Sequence, residues 1–197
     1  MKALLFSGGV DSTALAFGLR PELLVFVDYG QRPARGELRA ARAIARELAL
    51  PLEEIAVDCS ALGSGAMAGA EPLAGTPPEH WPYRNQLLIT VTAMRLAARS
   101  PEALMLGSVR GDEQHSDGSA EFREAVSRVL AVQSGPRLEA PASHLSTEEL
   151  VASFSVPDRV LGWTFSCHTG EWACGACRGC SKHRHVMDAV GFGAPRS

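Results

Sequence analysis

The sequence lacks any excess of basic residues, since 19 lysines and arginines stand against 22 aspartates and glutamates and give a net charge of -3. Proteins that wrap nucleic acid usually carry a clear basic excess, so this balance disfavours nucleic acid as a partner. The sequence also lacks an apolar run near the ~20 residues that cross a bilayer, and its amino terminus lacks the parts of a secretory signal. These absences predict a cytoplasmic protein with no membrane partner.

Cysteine is scarce and unevenly placed. The five cysteines are an odd number, which fits a disulfide framework poorly in a protein without a secretory signal. Four of them have the spacing C-x6-C-x2-C-x2-C, and they are Cys167, Cys174, Cys177 and Cys180. This spacing favours a structural tetrahedral zinc site, and an iron–sulfur cluster is the alternative. The metal would fold a tail that is too short and polar to build its own core.

The remaining composition is that of a globular protein. Hydrophobic residues make up 46% of the 197 residues and charged residues 21%, which excludes a disordered or fibrous chain. The pattern along the first part of the chain alternates between short apolar runs and helical periodicity. It predicts strands at 2–6, 23–28, 53–58 and 103–107, and helices at 11–20, 34–50, 86–98, 120–132 and 146–153. This order predicts an α/β fold with a doubly wound parallel sheet.

Two regions depart from that alternation. Residues 60–82 are rich in Gly, Ala, Ser and Pro, which predicts a loop or a mobile lid. The last forty residues hold the cysteine cluster and show no strong periodicity. We therefore predict two units, a nucleotide-binding domain at 1–160 and a zinc-binding segment at 161–197.

A glycine turn joins the first predicted strand to the first predicted helix. It comprises Ser7, Gly8, Gly9, Asp11 and Ser12. Glycines let backbone N–H groups approach a phosphate, and the amino terminus of the helix adds partial positive charge. The turn lacks the Gly-Lys-Ser/Thr ending of a Walker loop, which argues against γ-phosphate transfer. Asp11 is a candidate ligand of magnesium, and the alternative is a plain strand-to-helix turn that Asp11 or Ser12 caps.

Several motifs together resemble the 7-cyano-7-deazaguanine synthase (QueC) family of PP-loop ATP pyrophosphatases. Residues 6–13 are similar to its FSGGxDST motif, and residues 28–32 to its DYGQRH motif. Arg84 and Asn85 resemble its GRN segment, the cysteines resemble its zinc site, and the likeness spans nearly the whole chain. The resemblance implies an adenine nucleotide alpha-hydrolase-like fold and a homodimer.

The resemblance also implies an activity and a set of site residues. The family cleaves ATP between the α and β phosphates, adenylates the carboxylate of 7-carboxy-7-deazaguanine and transfers it to ammonia, so ATP, magnesium and zinc are the expected cofactors. The implied catalytic residues are Asp11, Ser12, Arg84 and Asp112. The implied nucleotide-binding residues are Ser7, Gly8, Gly9, Asp11, Ser12, Asp28, Gln31, Arg32 and Gly107. The implied substrate-binding residues are Arg84, Asn85, Asp112 and Asp117.

The chain departs from the family pattern at several points. It is shorter than usual around 60–82, Tyr83 replaces a glycine, and the lysine of an acidic-Lys pair is replaced near Ser146 and Thr147. Short relatives occur in bacterial antiviral gene clusters, so one alternative is a ligase that attaches the 7-deazaguanine to a protein amine. A second alternative is a zinc or iron–sulfur protein of the same superfamily that modifies tRNA.

Overall fold

Five parallel strands form one sheet in the computed structural model, which describes residues 1–112 and 116–194. The strands lie in the order β3-β2-β1-β4-β5, and every neighbouring pair is parallel. The strands are β1 (Lys2–Leu5), β2 (Leu23–Asp28), β3 (Leu52–Ala56), β4 (Ala103–Met105) and β5 (Arg137–Glu139). The predicted doubly wound α/β fold is confirmed.

Helices cover both faces of the sheet. The helices are α1 (Val10–Leu19), α2 (Ala34–Leu48), α3 (Gly65–Ala68), α4 (Arg84–Leu96), α5 (Ala120–Val132), α6 (Thr147–Ser153), α7 (Asp158–Leu161) and α8 (Arg178–Ala189). Alternate residues of β2 explain the two layers, because successive side chains of a strand point to opposite faces. Leu24 and Phe26 pack with α1, α2, α6, α7 and α8, whereas Val25 and Val27 pack with α4 and α5.

Two helices begin at serine N-caps. Ser119 accepts a hydrogen bond from the backbone N–H of Phe122 at the start of α5. Ser146 caps α6, and Glu149 completes a capping box with it. A capping box satisfies two N–H groups that the helix itself leaves unpaired. It therefore fixes where α6 begins and hence where Thr147, its first residue, is held.

Residues 60–82 are not the plain loop that their composition predicts. They contain a 3-10 turn at Ser60–Leu62 and the short helix α3. Met67 and Trp81 are buried against Tyr29, and the Trp81 and Tyr29 rings meet edge to face with centroids 4.9 Å apart. Trp81 therefore packs this segment onto the domain.

Besides α3, the sequence pattern also does not predict β5, α7 and α8. Helix α8 follows the cysteine cluster, and its cap is the Cys177 sulfur, which accepts from the backbone N–H of Cys180. Val186 of α8 is buried in the same apolar cluster as Leu4 of β1. The cluster includes residues from both sides of residue 160, and the division predicted there stays a prediction. Within the described residues, no helix is long and apolar enough to cross a membrane.

Candidate active site

A cavity of about 560 Å³ opens at the carboxyl ends of β1 and β4. These two strands are neighbours in the sheet, but their connections run to opposite sides, since β2 and β3 lie beyond β1 and β5 lies beyond β4. Ligands of open parallel α/β sheets bind at such a switch point. The loops after both strands line the cavity, and so do the start of α4 and residues of α8.

The glycine turn has the shape that an anion site requires. Gly8 has a φ of +76°, and a Cβ on it would lie 2.8 Å from both the Cβ of Ala40 and the backbone nitrogen of Ala41, so no other residue fits. Gly9 is the N-cap of α1, and no side chain caps this helix. The first N–H groups of α1 therefore face the cavity without a side-chain partner, and the positive end of the helix dipole favours an anion there. Asp11 does not act as the cap.

Two serine side chains form hydrogen bonds with the backbone of Gly9 in the turn. Ser7 Oγ accepts from the N–H of Gly9 at 3.3 Å, and Ser12 Oγ donates to the carbonyl of Gly9 at 3.2 Å. Gly107, which follows β4, approaches the turn so closely that a Cβ on it would lie 3.3 Å from Ser12. Among these predicted nucleotide-binding residues, Gly8 does not line the cavity, because it lies behind the turn against α2, whereas Ser7, Gly9, Ser12 and Gly107 line it.

Asp11 is the centre of a polar cluster that the sequence did not reveal. Thr147 Oγ1 donates to one carboxylate oxygen at 2.6 Å, and Lys182 Nζ lies 3.2 Å from the other. Burial raises the pKa of Asp11, and the Lys182 cation and the Thr147 hydroxyl oppose this rise. Lys182 and His183, which lie on α8 far from Asp11 in sequence, both line the cavity.

The three candidates at and just after the end of β2 differ in their surroundings. Asp28 Oδ1 accepts from the N–H of Gly30 at 3.0 Å, and the Gln31 side chain donates to Glu37 at 2.8 Å and accepts from the N–H of Tyr29. These bonds shape the turn after the strand. Gln31 lines the cavity, but Asp28 and Arg32 do not.

All four predicted substrate residues line the cavity. Asn85 Nδ2 donates to the carbonyl of Asp117 at 2.8 Å, so the start of α4 is tied to the loop after β4. Asp112 Oδ2 accepts from the N–H of Val109 at 3.0 Å and holds its own turn. The guanidinium of Arg84 faces Tyr29 and Glu37 and lowers the pKa of each, against the larger effect of burial.

Glu37 is a cavity residue that the sequence analysis missed. Burial raises its pKa to about 7, while the hydrogen bond from Gln31 and the charge of Arg84 act in the opposite direction. Its place on α2, one helical turn after Pro33, carries no polar motif that would have singled it out. Glu37 thus gives the cavity a carboxyl group that gains or loses a proton near neutral pH.

The four clustered cysteines meet beside the cavity as the sequence predicts. Their sulfur atoms all lie within 4.8 Å of one another, with Cys174 3.9 Å from Cys180 and Cys177 4.0 Å from Cys167. Thiolates about 2.3 Å from one tetrahedral ion would stand about 3.8 Å apart, so this set fits a single metal ion. Backbone N–H groups point at the sulfurs of Cys174 and Cys177, which stabilises thiolates.

Comparisons with known proteins agree with this geometry. The model of the family described as "Queuosine biosynthesis protein QueC" matches residues 2–191. The chain is 33% identical to the 7-cyano-7-deazaguanine synthase of Desulforudis audaxviator, over 95% of this chain and 96% of that protein. It is 31% identical to the enzyme of the same name from Methanoculleus marisnigri, over 97% of this chain and 95% of that protein.

A solved structure supports the fold. The U34-tRNA thiolase NcsA from Methanococcus maripaludis, determined with its [4Fe-4S] cluster, is similar with a TM-score of 0.54. The match covers 98% of this chain and 66% of that one at 12% identity, so it concerns the fold alone. With a family match over nearly every residue and synthase relatives of about the same length, the chain belongs to the QueC family.

Proposed function

We propose that this chain is an ATP-dependent enzyme that adenylates the carboxylate of 7-carboxy-7-deazaguanine and transfers the product to ammonia. The observation that carries the proposal is the uncapped start of α1 behind the glycine turn, which faces the cavity at the switch point of the sheet. The proposal also draws on the synthase relatives, which match over the whole length.

The residues of the turn suit the polyphosphate of ATP. Gly8 has no side chain, and a Cβ there would overlap α2. The backbone can therefore turn so that the N–H groups at the start of α1 point at an anion. Ser7 and Ser12 offer hydroxyl groups to phosphate oxygens. The carboxylate of Asp11, with the phosphate oxygens, would hold a magnesium ion, which supplies positive charge that stabilises the leaving pyrophosphate.

The chemistry follows from the inertness of a carboxylate. One carboxylate oxygen attacks the α-phosphorus of ATP, the bond between the α-phosphorus and its bridging oxygen breaks, and pyrophosphate leaves. Ammonia then attacks the activated carbonyl carbon, AMP leaves, and the loss of a proton gives the amide. A second adenylation on the amide oxygen, followed by loss of AMP and a proton, gives the nitrile.

The other side of the cavity would hold the deazaguanine. Arg84 would pair with the substrate carboxylate, and a guanidinium binds such a group through two parallel hydrogen bonds. Asn85, Asp112 and Asp117 are the proposed partners of the amidine edge of the base, which carries N–H donors. The four clustered cysteines would hold zinc as a structural ion, because their sulfur spacing suits one ion better than a cluster whose thiolates bind separate irons.

A second candidate function is a ligase that joins the 7-deazaguanine to a protein amine. Thr147 lies on the Asp11 carboxylate at the place where the family pattern leads one to expect a lysine. A change beside the reacting groups would alter the second adenylation that nitrile formation requires. The tRNA-modifying alternative receives no support beyond the shared fold, because the similar thiolase is only 12% identical.

The test is incubation of the protein with ATP, magnesium and 7-carboxy-7-deazaguanine, with and without ammonia. We expect AMP and pyrophosphate together with a free product of nitrile mass. Formation of ADP would refute adenylation, and a mass adduct on an added polypeptide would favour the ligase. Asp11→Asn should abolish pyrophosphate release, and Asp188→Asn, on the exposed face of α8, is the matched control that should retain it.

A further inference from the structure

We propose that Lys182, a residue of the cysteine-bearing segment, is a nucleotide-binding residue that contacts a phosphate oxygen of ATP. The inference rests on the proposed function, because it concerns the same cavity. Lys182 lies on α8, one turn after the helix begins at the cysteine cluster. The segment that holds the metal would therefore also complete the phosphate site of the sheet domain.

The position of the amine carries the inference. Lys182 Nζ lies 3.2 Å from Asp11 Oδ2, and half of the Lys182 side chain remains exposed, into the cavity. Asp11 is the second residue of α1, whose N–H groups are the proposed anion site. A phosphate at the start of α1 thus falls within reach of a flexible lysine stem, and an ammonium is a common partner of phosphate.

The other cations of the cavity have different partners or lie elsewhere. Arg110 pairs with Glu149, and Arg178 pairs with Glu79 at 2.7 Å. Arg84 faces Tyr29 and Glu37 beyond the end of β2. Lys182 thus pairs with a residue of α1, whereas these three arginines pair with or face residues outside that helix.

Close packing fixes where α8 presents Lys182. A Cβ on Gly179 would lie 1.9 Å from the carbonyl oxygen of Ser166, so the first turn of α8 packs directly against the backbone at Ser166. One turn later, the Nε2 of His183 lies 2.9 Å from the hydroxyl of Thr164. These two contacts set the rotation of the helix and aim Lys182 at Asp11.

The ion pair between Lys182 and Asp11 would be exchanged for new contacts when the nucleotide binds. An ion pair with so exposed a lysine adds little to folding stability, so stability alone does not account for it. When the nucleotide enters, the amine moves from Asp11 to a phosphate oxygen, and the freed Asp11 carboxylate becomes available to magnesium. The two charges hold each other in place until the ligand arrives.

The chain contains only two lysines, Lys2 and Lys182, and this makes the test sharp. Lys2 lies at the start of β1, where it pairs with Glu139 at 3.8 Å, and it is the matched control. Dissociation constants for ATP with magnesium and for adenosine are measured by calorimetry on the wild type, Lys182→Met, Lys182→Arg and Lys2→Met. Metal content and circular dichroism are recorded for each variant.

We expect Lys182→Met to weaken ATP binding about 10- to 100-fold, the range for one hydrogen bond to a charged group. Adenosine affinity and metal content should not change, Lys182→Arg should recover part of the affinity, and Lys2→Met should bind as the wild type does. If Lys182→Met fails to fold, acetylation of the wild type answers the question, because mass spectrometry resolves its few amines. ATP with magnesium should slow acetylation of Lys182 and leave Lys2 unaffected.

Two failures are distinguishable. If the wild type binds ATP but Lys182 acetylates at an unchanged rate, or Lys182→Met binds ATP within twofold of the wild type, the inference is overturned and the proposed function stands. If the wild type binds no ATP, the proposed function is overturned and the inference falls with it.

Discussion

Replacing Glu37 with glutamine should stabilise the protein at neutral pH and not in acid. The pKa of Glu37 rises from its ordinary 4.5 to about 7 in the fold, chiefly through burial. Below pH 4.5 the carboxyl is protonated in both the folded and the unfolded chain, so it does not lower the free energy of unfolding. Between pH 4.5 and 7 the unfolded chain ionises while the folded chain keeps the proton, and the free energy of unfolding falls.

The size of this effect follows from the two pKa values. A difference of about 2.5 between them corresponds to about 3 kcal/mol at pH values above 7. This is an upper bound, because Glu37 faces the cavity and water there solvates part of the charge. Glutamine has the same shape, carries no charge and can still accept the hydrogen bond from Gln31 through its amide oxygen.

The assay is urea unfolding at half-unit steps from pH 5 to 8. The stability of Glu37→Gln relative to the wild type should grow with pH and level off above pH 7. Glu124→Gln is the control, since Glu124 is exposed on α5 and pairs with Arg128, and it should differ from the wild type by less than about 0.5 kcal/mol. A difference between Glu37→Gln and the wild type that stays constant across this range would refute the reasoning.

Three further predictions concern the turn, the cap and the metal. Gly8→Ala should lose ATP affinity in calorimetry and unfold more easily, because the new methyl group adds backbone strain of about 1–2 kcal/mol and overlaps α2. The control is Gly75→Ala, since Gly75 has the same φ of +76° but nothing within 4 Å of its Cβ position. This control should show the backbone strain alone and bind ATP normally. Ser146→Ala and Ser119→Ala should each cost about 1 kcal/mol in urea unfolding, but only Ser146→Ala, which loosens the start of α6 and Thr147, should weaken ATP binding. A chelator that removes the metal from the four clustered cysteines should reduce both the helical circular dichroism signal and the ATP affinity. An unchanged ATP affinity would show that α8 keeps its place without the metal.

The sheet was predictable because its signals are local. The strands β1 and β2 consist mainly of apolar residues, of the kind that parallel sheets bury on both faces, and glycine-bearing turns follow them. Helix α2 shows clean amphipathic periodicity, with Ile44 and Leu48 buried. The short strand β5 was not predicted, because two of its three residues are charged and only one is apolar.

The motifs of the site could be predicted from the sequence, but the contacts between its residues could not. Residues of the glycine turn and the cysteine cluster are neighbours in sequence, so their chemistry can be read from spacing. Lys182 and Thr147 lie 171 and 136 residues from Asp11 along the chain, and only the packing of α6 and α8 brings them together. Glu37 escaped for a different reason, since a single glutamate on an amphipathic helix resembles its solvent-exposed neighbours.

The backbone hydrogen bond between Phe165 and Gly8 has a consequence for folding. The N–H of Phe165 donates to the carbonyl of Gly8 at 3.0 Å, so the glycine turn is completed by the stretch that leads into the cysteine cluster. This contact joins residues that are far apart in sequence, and closing so long a loop costs chain entropy. The turn therefore reaches its final form only after the two distant segments have met.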